Sequence, residues 1–361
     1  MYDRRAFAVD LPAAAEFLAL KNGLLHLPSR DLYPPTPTHF GLNSAAVDYD
    51  PKAPEPAEWL RFLGQIWGDD RQSIETLQDL FGYLLSPDTS QQKIALIVGP
   101  KRSGKGTIAG VLTGLLGHNS VAAPTLASLA TNFGLAPLIG KALAIIGDAR
   151  LSARADQAAI SERLLSISGE DALTIDRKFL PAWTGRLGLR FLIMTNELPR
   201  LADASGALAS RFIVLTMQNS FFGREDRALR NRLAAELPGI LNWALAGYAR
   251  MRKRGYFLQP ESATDAIAEL EALGSPIAAF VKEQCTIAPS RQCLPELLFS
   301  EWRKWCEANG RREAGTAQSF GRDLRAAVPG LKMIRPRTQD GRARMYEGIA
   351  IAEQEPSGGD W

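Results

Sequence analysis

The sequence predicts an α/β protein built around a three-layer domain with a largely parallel sheet. Three observations indicate this fold class: apolar runs alternate with helical patterns, a glycine-rich loop joins one run to a helix, and a basic C-terminal stretch contains helices followed by a hairpin pattern. The apolar runs cover residues 93–98, 142–147, 190–195 and 211–216, and the helical patterns lie near 105–115 and 156–168.

Composition narrows the class of protein. The chain has 361 residues, of which 46% are hydrophobic and 22% charged, which is typical of two or three domains with ordinary cores. The sequence contains no run as long as a membrane span, and its first residues lack a secretory pattern, so we expect a cytoplasmic protein. Cys285, Cys293 and Cys306 lack metal-ligand spacing and are predicted to be buried thiols.

The N-terminal part precedes the core. Residues 1–57 are rich in proline and predict an extension with short strands. From Glu58 to Leu85 apolar residues recur at helical spacing, with a break at Gly68-Asp69-Asp70, so we expect two helices in a collar-like segment over 58–90. The predicted core then covers 91–222.

The C-terminal part has four predicted segments. A helical tract interrupted at Pro238-Gly239 is expected to pack on the core, and a module with three helical patterns precedes two β-runs around the turn Gln339-Asp340-Gly341, which is typical of a winged helix. In order, the segments are a helical segment over 223–258, a linker over 259–275, the winged-helix-like module over 276–352 and a disordered tail over 353–361.

The predicted module is strongly basic. Between Arg303 and Tyr346 there are eleven lysines and arginines against four acidic residues, a local net charge of +7, whereas the whole chain carries +3. This excess indicates a polyanion such as duplex DNA, although a solvated helix face also produces some excess. The residues predicted to contact DNA are Arg322, Arg325, Arg335, Arg337, Arg342 and Arg344.

The glycine-rich loop GPKRSGKGT predicts binding of ATP. It follows an apolar run and opens a helix, so its amides can point at phosphate oxygens while Lys105 reaches the β- and γ-phosphates. The residues predicted to bind the nucleotide are Gly99, Pro100, Lys101, Arg102, Ser103, Gly104, Lys105, Gly106 and Thr107.

The loop departs from the common pattern at Gly106, where Ser or Thr normally meets magnesium. Thr107 is the expected substitute, directly or through water. A GKGT ending also occurs in nucleoside monophosphate kinases, which leaves a kinase as an alternative. Such kinases commonly carry the loop near the N-terminus, whereas here it begins at Gly99 and a basic module follows.

Three polar residues stand at the ends of predicted strands. Asp148 ends one run, where it can hold Mg²⁺ or instead cap the following helix. Asn196 ends another run, where its amide can orient the attacking water, although an Asn before a turn is common. Arg211 opens the last run and can act as a finger on a neighbouring subunit's γ-phosphate.

Taken in order, these motifs resemble the superfamily 3 helicases of small DNA viruses, poxviruses, phages and plasmids. The chain is most similar to the helicase part of phage and plasmid primase-helicases of the poxvirus and satellite-phage type, over about 20–350. The stretches that carry the resemblance, besides the loop, are LKNGLLHL (20–27), DYDP (48–51), ETLQDLFGYLLSPDTSQQK (75–93), SGEDALTIDRKFLPAWTG (168–185), FLIMTNELPRL (191–201) and ELPGILNWALAGYARM (236–251).

The resemblance implies a ring, usually a hexamer, of AAA+-like domains that hydrolyses ATP at subunit interfaces and pulls single-stranded DNA through its channel. It places Lys105, Asp148, Asn196 and Arg211 at the phosphate, metal, water-orienting and finger positions. It also implies a DNA-contacting hairpin with a Lys at its tip, here Arg177, Lys178 and Phe179. A phage-infected or bacterial cell is the implied setting.

Two departures from the family leave alternatives open. Gly147 precedes Asp148 where the family often has a second acid, so the general base is not assigned and a ring that uses ATP only to assemble on DNA stays possible. The primase domain that usually precedes this helicase is not evident in the first 50 residues. We therefore expect a separate primase or polymerase as partner, unless the chain is a fragment or an independent helicase.

Overall fold

The computed structural model describes residues 16–36, 44–152, 155–203, 206–311, 314–338 and 341–352. The chain divides into two compact units. The first comprises Met1–Pro199 and Arg211–Ile267, and the second comprises Arg200–Ser210 and Ala268–Trp361.

The first unit begins with a small antiparallel sheet and two helices. Its elements are β1 (Phe17–Leu20), β2 (Gly23–His26), β3 (Leu32–Tyr33), α1 (Ala57–Trp67) and α2 (Arg71–Leu85). The two helices and the break between them confirm the prediction. Asp70 caps α2 because its carboxylate accepts from the amide of Ser73, 3.0 Å away.

A five-stranded parallel sheet forms the centre of the unit. The elements in chain order are β4 (Ile94–Val98), α3 (Lys105–Leu116), β5 (Val121–Ala122), α4 (Leu126–Leu129), β6 (Leu143–Ile146), α5 (Gln157–Ser168), β7 (Ala172–Arg177), β8 (Leu180–Arg186), β9 (Arg190–Thr195) and β10 (Phe212–Thr216). Between β9 and β10 the chain forms α6 (Ala207–Arg211), which belongs to the second unit except for Arg211. The strand order is β10-β4-β9-β6-β5, with all pairs parallel, so the predicted parallel sheet is confirmed. Strand β9 therefore separates β6 from β4.

Helices α7 (Leu229–Ala235) and α8 (Leu237–Arg254) follow the sheet. The predicted interruption at Pro238-Gly239 is wrong, since both residues lie in the first turn of α8, where proline needs no amide partner. The break lies at Glu236, whose carboxylate instead accepts from the amides of Glu58 and Trp59 at the start of α1, each 2.9 Å away.

The predicted linker over 259–275 is also wrong. Helix α9 (Thr264–Gly274) occupies most of it, because TDAIAELEALG is rich in good helix formers. Before that helix, Gln259 bonds both the amide and the carbonyl of Val214 on β10, at 3.0 and 2.6 Å, and Phe257 is buried.

The second unit contains α10 (Pro276–Gln284), β11 (Cys285–Cys293), α11 (Pro295–Ala308), α12 (Ala317–Ala327), β12 (Lys332–Ile334), β13 (Arg337–Thr338), β14 (Gly341–Arg342) and β15 (Met345–Ile351). The three predicted helices are confirmed. Strand β11 was not predicted; it pairs with β15, and β15 pairs with β12, in an antiparallel sheet. The turn residues Gln339 and Asp340 and the tail over 353–361 lie outside the described residues.

Aromatic side chains build the core of the second unit. Phe280, Trp302 and Phe320 are almost fully buried, and their rings lie 5.5–6.2 Å apart. Cys293 and Cys306 are buried in the same cluster, and burial raises the pKa of both thiols, in line with the predicted role as packing residues. Cys285 packs against the cluster but is only partly buried, so the prediction of a buried thiol is wrong there. In the described part of the chain no helix has both the length and the apolar character to cross a bilayer.

Candidate functional site

The glycine-rich loop connects β4 to α3 as the sequence predicts. Two of its residues have left-handed backbone, Arg102 with φ of 61° and Gly104 with φ of 103°, and this alternation turns successive amides toward one side. A Cβ at Gly104 would lie 2.9 Å from the Phe62 ring, so the position requires glycine for both space and conformation. The loop thus has the geometry of a backbone anion cradle at a helix N-terminus.

Lys105 and Asn196 meet at the mouth of this loop. The Lys105 ammonium donates to the carbonyl of Pro100 at 2.7 Å and to the Asn196 Oδ1 at 3.1 Å. Lys105 is half-buried, and burial lowers the pKa of its ammonium. Two residues that are 91 positions apart in the chain are therefore held together at one edge of the sheet.

A cavity of about 1690 Å³ opens beside the loop. This volume exceeds the 300–1,000 Å³ typical of ligand pockets, so the cavity has room for a nucleoside triphosphate. Its lining is rich in cationic side chains, which suits a polyphosphate. The cations that line it are Arg61, Lys101, Arg102, Lys105, Arg224, Arg227 and Arg230.

The segment after β10 forms a wall of this cavity that sequence reasoning did not identify. The Ser220 hydroxyl donates to the carbonyl of Lys101 at 2.8 Å, and the Phe221 amide donates to the carbonyl of Arg102 at 2.9 Å. Glu225 lies 3.5 Å from the Arg102 guanidinium. The run FFGRED, with paired aromatics beside charges after a buried strand, is the signal that could have indicated it.

The two candidate metal ligands stand in different surroundings. Thr107 is half-buried in the first turn of α3 and lines the cavity. A Cβ added at Gly106 would find open space within 4 Å among the described residues, so a side chain there would fit. Thr107 and Asp148 are the residues that could hold Mg²⁺, and both supply the oxygen atoms that this ion prefers.

Asp148 follows β6 at the same edge of the sheet, one strand further from the loop than the sequence alone suggested, because β9 intervenes. Its carboxylate accepts from Arg150 Nη2 at 2.6 Å and Nε at 3.0 Å, and this pairing lowers the pKa of Asp148. Helix α5 is capped by Asp156, whose carboxylate accepts from the Ala159 amide at 3.0 Å. The alternative that Asp148 caps the next helix is therefore wrong.

Arg211 lies at the opposite edge of the sheet from the loop. It directly precedes β10, which runs parallel to β4, so about 16 Å of strand separates it from the phosphate edge of its own subunit. Its guanidinium donates to the Ser168 hydroxyl at 3.1 Å, at the C-terminal end of α5. This placement leaves Arg211 remote from Lys105 within one chain.

Strands β7 and β8 form the hairpin that the resemblance implied. Lys178 and Phe179 are the two residues of its turn. Phe179 is 91% exposed with φ of 62°, a conformation that is costly for a bulky residue, and the Lys178 ammonium lies 5.1 Å from its ring centre. The Arg177 side chain bonds to the hairpin itself, because its Nε donates to the carbonyl of Pro181 at 2.9 Å. The hairpin thus projects an aromatic ring and an ammonium together.

The arginines predicted to contact duplex DNA lie on α12 and in the segment from β12 to β15 of the second unit. Arg322 and Arg325 are exposed on α12, and Arg322 pairs with Asp323 at 2.8 Å. Arg335 and Arg344 are exposed in the connection between β12 and β15. Arg337 and Arg342 belong to β13 and β14, and their side chains lie outside what the structure describes.

Comparison with known proteins gives two family matches. Residues 97–211 match a family of unknown function (DUF5906), which spans the loop, Asp148, Asn196, the hairpin and Arg211. Residues 1–68 match the family described as D5 N terminal like.

Solved structures share the fold at low identity. The apo structure of the NrS-1 C terminal region (305–718) has a TM-score of 0.55 with 15% identity, over 94% of this chain and 83% of that one. An A form apo structure of the NrS-1 C terminal region has a TM-score of 0.52 with 15% identity, over 88% and 79%. At this identity the similarity shows a shared fold.

Proposed function

We propose that this protein is an ATP-dependent DNA helicase or translocase of phage or plasmid replication, which acts as a homo-oligomeric ring. The observation that carries the proposal is the meeting of Lys105 and Asn196 over a glycine-rich loop that borders a cation-lined cavity. That combination is suited to a nucleoside triphosphate, since backbone amides and cations neutralise its phosphates.

Each residue of the loop edge has a part in this proposal. The loop amides and Lys105 bind the β- and γ-phosphates, and the Asn196 amide orients water toward the γ-phosphorus. Thr107 and Asp148 would hold Mg²⁺, which supplies charge neutralisation on the phosphates when it is bound. Arg150 must then release Asp148, because the two groups are paired at 2.6 Å.

The finger role of Arg211 requires a second subunit. Its distance from the loop of its own chain supports a contact with a neighbour's nucleotide, as in a ring with shared sites. A guanidinium that meets the γ-phosphate in this way couples hydrolysis to subunit arrangement. A hexamer is the ring size of the family that the sequence resembles.

DNA contact is assigned to two places. The hairpin tip offers Lys178 to the phosphate backbone of a single strand and Phe179 to its sugars or bases, a combination that tracks DNA without reading sequence. The second unit, with exposed arginines on α12 and beside β12, is proposed to bind duplex DNA as a winged helix. A separate primase or polymerase is the expected protein partner.

ATP hydrolysis with and without single-stranded DNA tests the proposal. We expect basal hydrolysis by the full chain, stimulation by single-stranded DNA, and separation of a forked duplex only when ATP is present. A hydrolysis rate that does not change when single-stranded DNA is added, together with no strand separation, would contradict a translocase.

One observation favours a second candidate, a ring that uses ATP to assemble on DNA without unwinding it. Asp148 has Arg150 on both of its carboxylate oxygens, and the preceding Gly147 supplies no second acid. This candidate predicts ATP-dependent oligomers on DNA with negligible turnover. A nucleoside monophosphate kinase, the remaining alternative, would instead convert a monophosphate to its diphosphate in the same assay.

A further inference from the structure

An acidic residue follows the strand that lies between the glycine-rich loop's strand and the strand of Asp148. Strand β9 runs between β4 and β6, and Glu197 follows Asn196 just beyond its end. Asp148 is flanked by Gly147 and Ala149, so no second acid stands next to it after β6. The neighbouring strand brings an acid to the same edge.

The pairing of the strands shows which residues at this edge of the sheet lie level with one another. Ile146 is opposite Ile193, and Val98 is opposite Thr195, so Asp148 is level with Thr195 at the point where the loop begins. The Gly99 amide donates to the Thr195 carbonyl at 3.1 Å, which joins the loop to β9 at this level. Glu197 is the second residue after the end of β9, so it lies at the carboxyl edge of the sheet, the edge from which the loop and Asp148 also emerge.

The backbone at Glu197 is held in place. The buried Thr195 hydroxyl donates to the carbonyl of Glu197 at 2.5 Å and accepts from its amide at 3.3 Å, which closes a tight turn. Asn196, within this turn, contacts the Lys105 ammonium. The position of Glu197 relative to the loop is therefore determined by two hydrogen-bonded neighbours.

The two acids at this edge, Asp148 and Glu197, have different surroundings. Both oxygens of Asp148 accept from Arg150, whereas Glu197 is exposed. Arg150 lies within electrostatic range of both: its bond to Asp148 raises its pKa most, and the charge of Glu197 adds to the effect. Both oxygens of Asp148 are thus engaged by a guanidinium, whereas the Glu197 side chain is exposed to solvent.

We infer that Glu197 is the general base for hydrolysis in this protein, an assignment that rests on the proposed ATPase function. The oxygen of a water molecule, oriented by Asn196, bonds to the γ-phosphorus while Glu197 takes one of its protons. The bond between the γ-phosphorus and the β,γ-bridging oxygen breaks, and its electron pair leaves with ADP. Inorganic phosphate departs, and Glu197 returns its proton to solvent.

The test compares Glu197→Gln with Asp148→Asn in the full chain. Glu197→Gln keeps the shape of the side chain but cannot accept a proton, so we expect turnover to fall by about 10²–10⁴-fold with ATP and DNA binding unchanged. Asp148→Asn is expected to shift the Mg²⁺ concentration that supports ATP binding, an effect that Glu197→Gln should not show. Glu162→Gln, an exposed acid on α5, is the matched control and should retain wild-type turnover.

A second variant keeps the outcome clear. Glu197→Asp retains a carboxylate on a shorter side chain and should restore part of the activity that Glu197→Gln loses, which a merely structural role would not predict. Wild-type turnover in Glu197→Gln would overturn the assignment, as would a loss of ATP binding in that variant. If the wild-type chain binds ATP but never hydrolyses it, the proposed function itself fails, and that result precedes any comparison of variants.

Discussion

Two lysines of the first unit occupy opposite environments. Lys105 is half-buried, and its ammonium is held by loop carbonyls and by Asn196, while burial lowers its pKa. Lys178 is exposed at the hairpin tip, with the ring of Phe179 beside it. A held cation can position a phosphate for chemistry, whereas an exposed cation can follow a moving backbone, so the contrast separates the part proposed to hydrolyse ATP from the part proposed to contact DNA.

Lys105→Ala gives the largest expected effect. The loop loses the ammonium that is proposed to contact the β- and γ-phosphates, so hydrolysis should be abolished. Steady-state phosphate release measures it. Lys253→Ala, which removes an exposed lysine near the end of α8, is the matched control and should hydrolyse ATP normally. Normal turnover in Lys105→Ala would contradict the proposed role of Lys105 in hydrolysis.

Arg211→Ala should reduce turnover by on the order of 10³-fold while each subunit still binds nucleotide, because in the proposed ring this guanidinium acts at a neighbour's site. Mixing this variant with Lys105→Ala should recover some activity, since mixed interfaces can pair an intact loop with an intact finger.

Ser168→Ala separates the finger role of Arg211 from a packing role. It removes the hydroxyl that Arg211 contacts at 3.1 Å but leaves the guanidinium. A loss equal to that of Arg211→Ala, together with no recovery in co-assembled mixtures, would make Arg211 a structural residue.

Lys178→Ala should eliminate unwinding and DNA-stimulated hydrolysis but spare basal hydrolysis, since this side chain is exposed at the hairpin turn and does not line the cavity beside the glycine-rich loop. Phe179→Ala should cause a milder loss of the same kind, because one stacked base is worth about 1–3 kcal/mol. Basal and DNA-stimulated rates measured on the same preparation distinguish the two effects. Normal unwinding by Lys178→Ala would favour the ring that uses ATP only for assembly.

A smaller change is expected from Arg322→Ala combined with Arg325→Ala on α12. Each contact to a DNA phosphate contributes about 0.9 to the slope of log affinity against log salt, so the double variant should lower that slope by about 2. Fluorescence anisotropy with duplex DNA measures it. Arg303→Ala with Lys304→Ala, on α11, is the matched control for net charge. Equal slopes for the two double variants would mean that the two arginines of α12 contact DNA no more than the two cations of α11 do.

Gly106→Ser should have the smallest effect. A Cβ there meets open space among the described residues, and the hydroxyl restores the common magnesium contact, so ATP hydrolysis should persist with an equal or lower Mg²⁺ requirement. Gly104→Ala, by contrast, faces the Phe62 ring at 2.9 Å with φ of 103° and should impair folding or nucleotide binding. Thermal unfolding with and without ATP compares the pair.

Much of the first unit follows from local patterns. The four apolar runs became β4, β6, β9 and β10, and the helical spacing around residues 58–85 became α1 and α2. Such runs are readable because a strand buried on both faces is continuously apolar and a packed helix repeats every 3.6 residues. Strand β5 was missed since it has two residues, and β11 was missed because most of its side chains are exposed.

Sequence by itself determined the glycine-rich loop, since its conformation depends on nine consecutive residues and on the backbone freedom of Gly104. Only the tertiary structure decided that β9 lies beside β4, which brings Asn196 to Lys105 and places the strand before Glu197 between the loop's strand and the strand of Asp148. It also decided the helix break at Glu236, because that carboxylate caps a helix 178 residues away. Strand order and distant caps depend on contacts between remote segments, which no local pattern records.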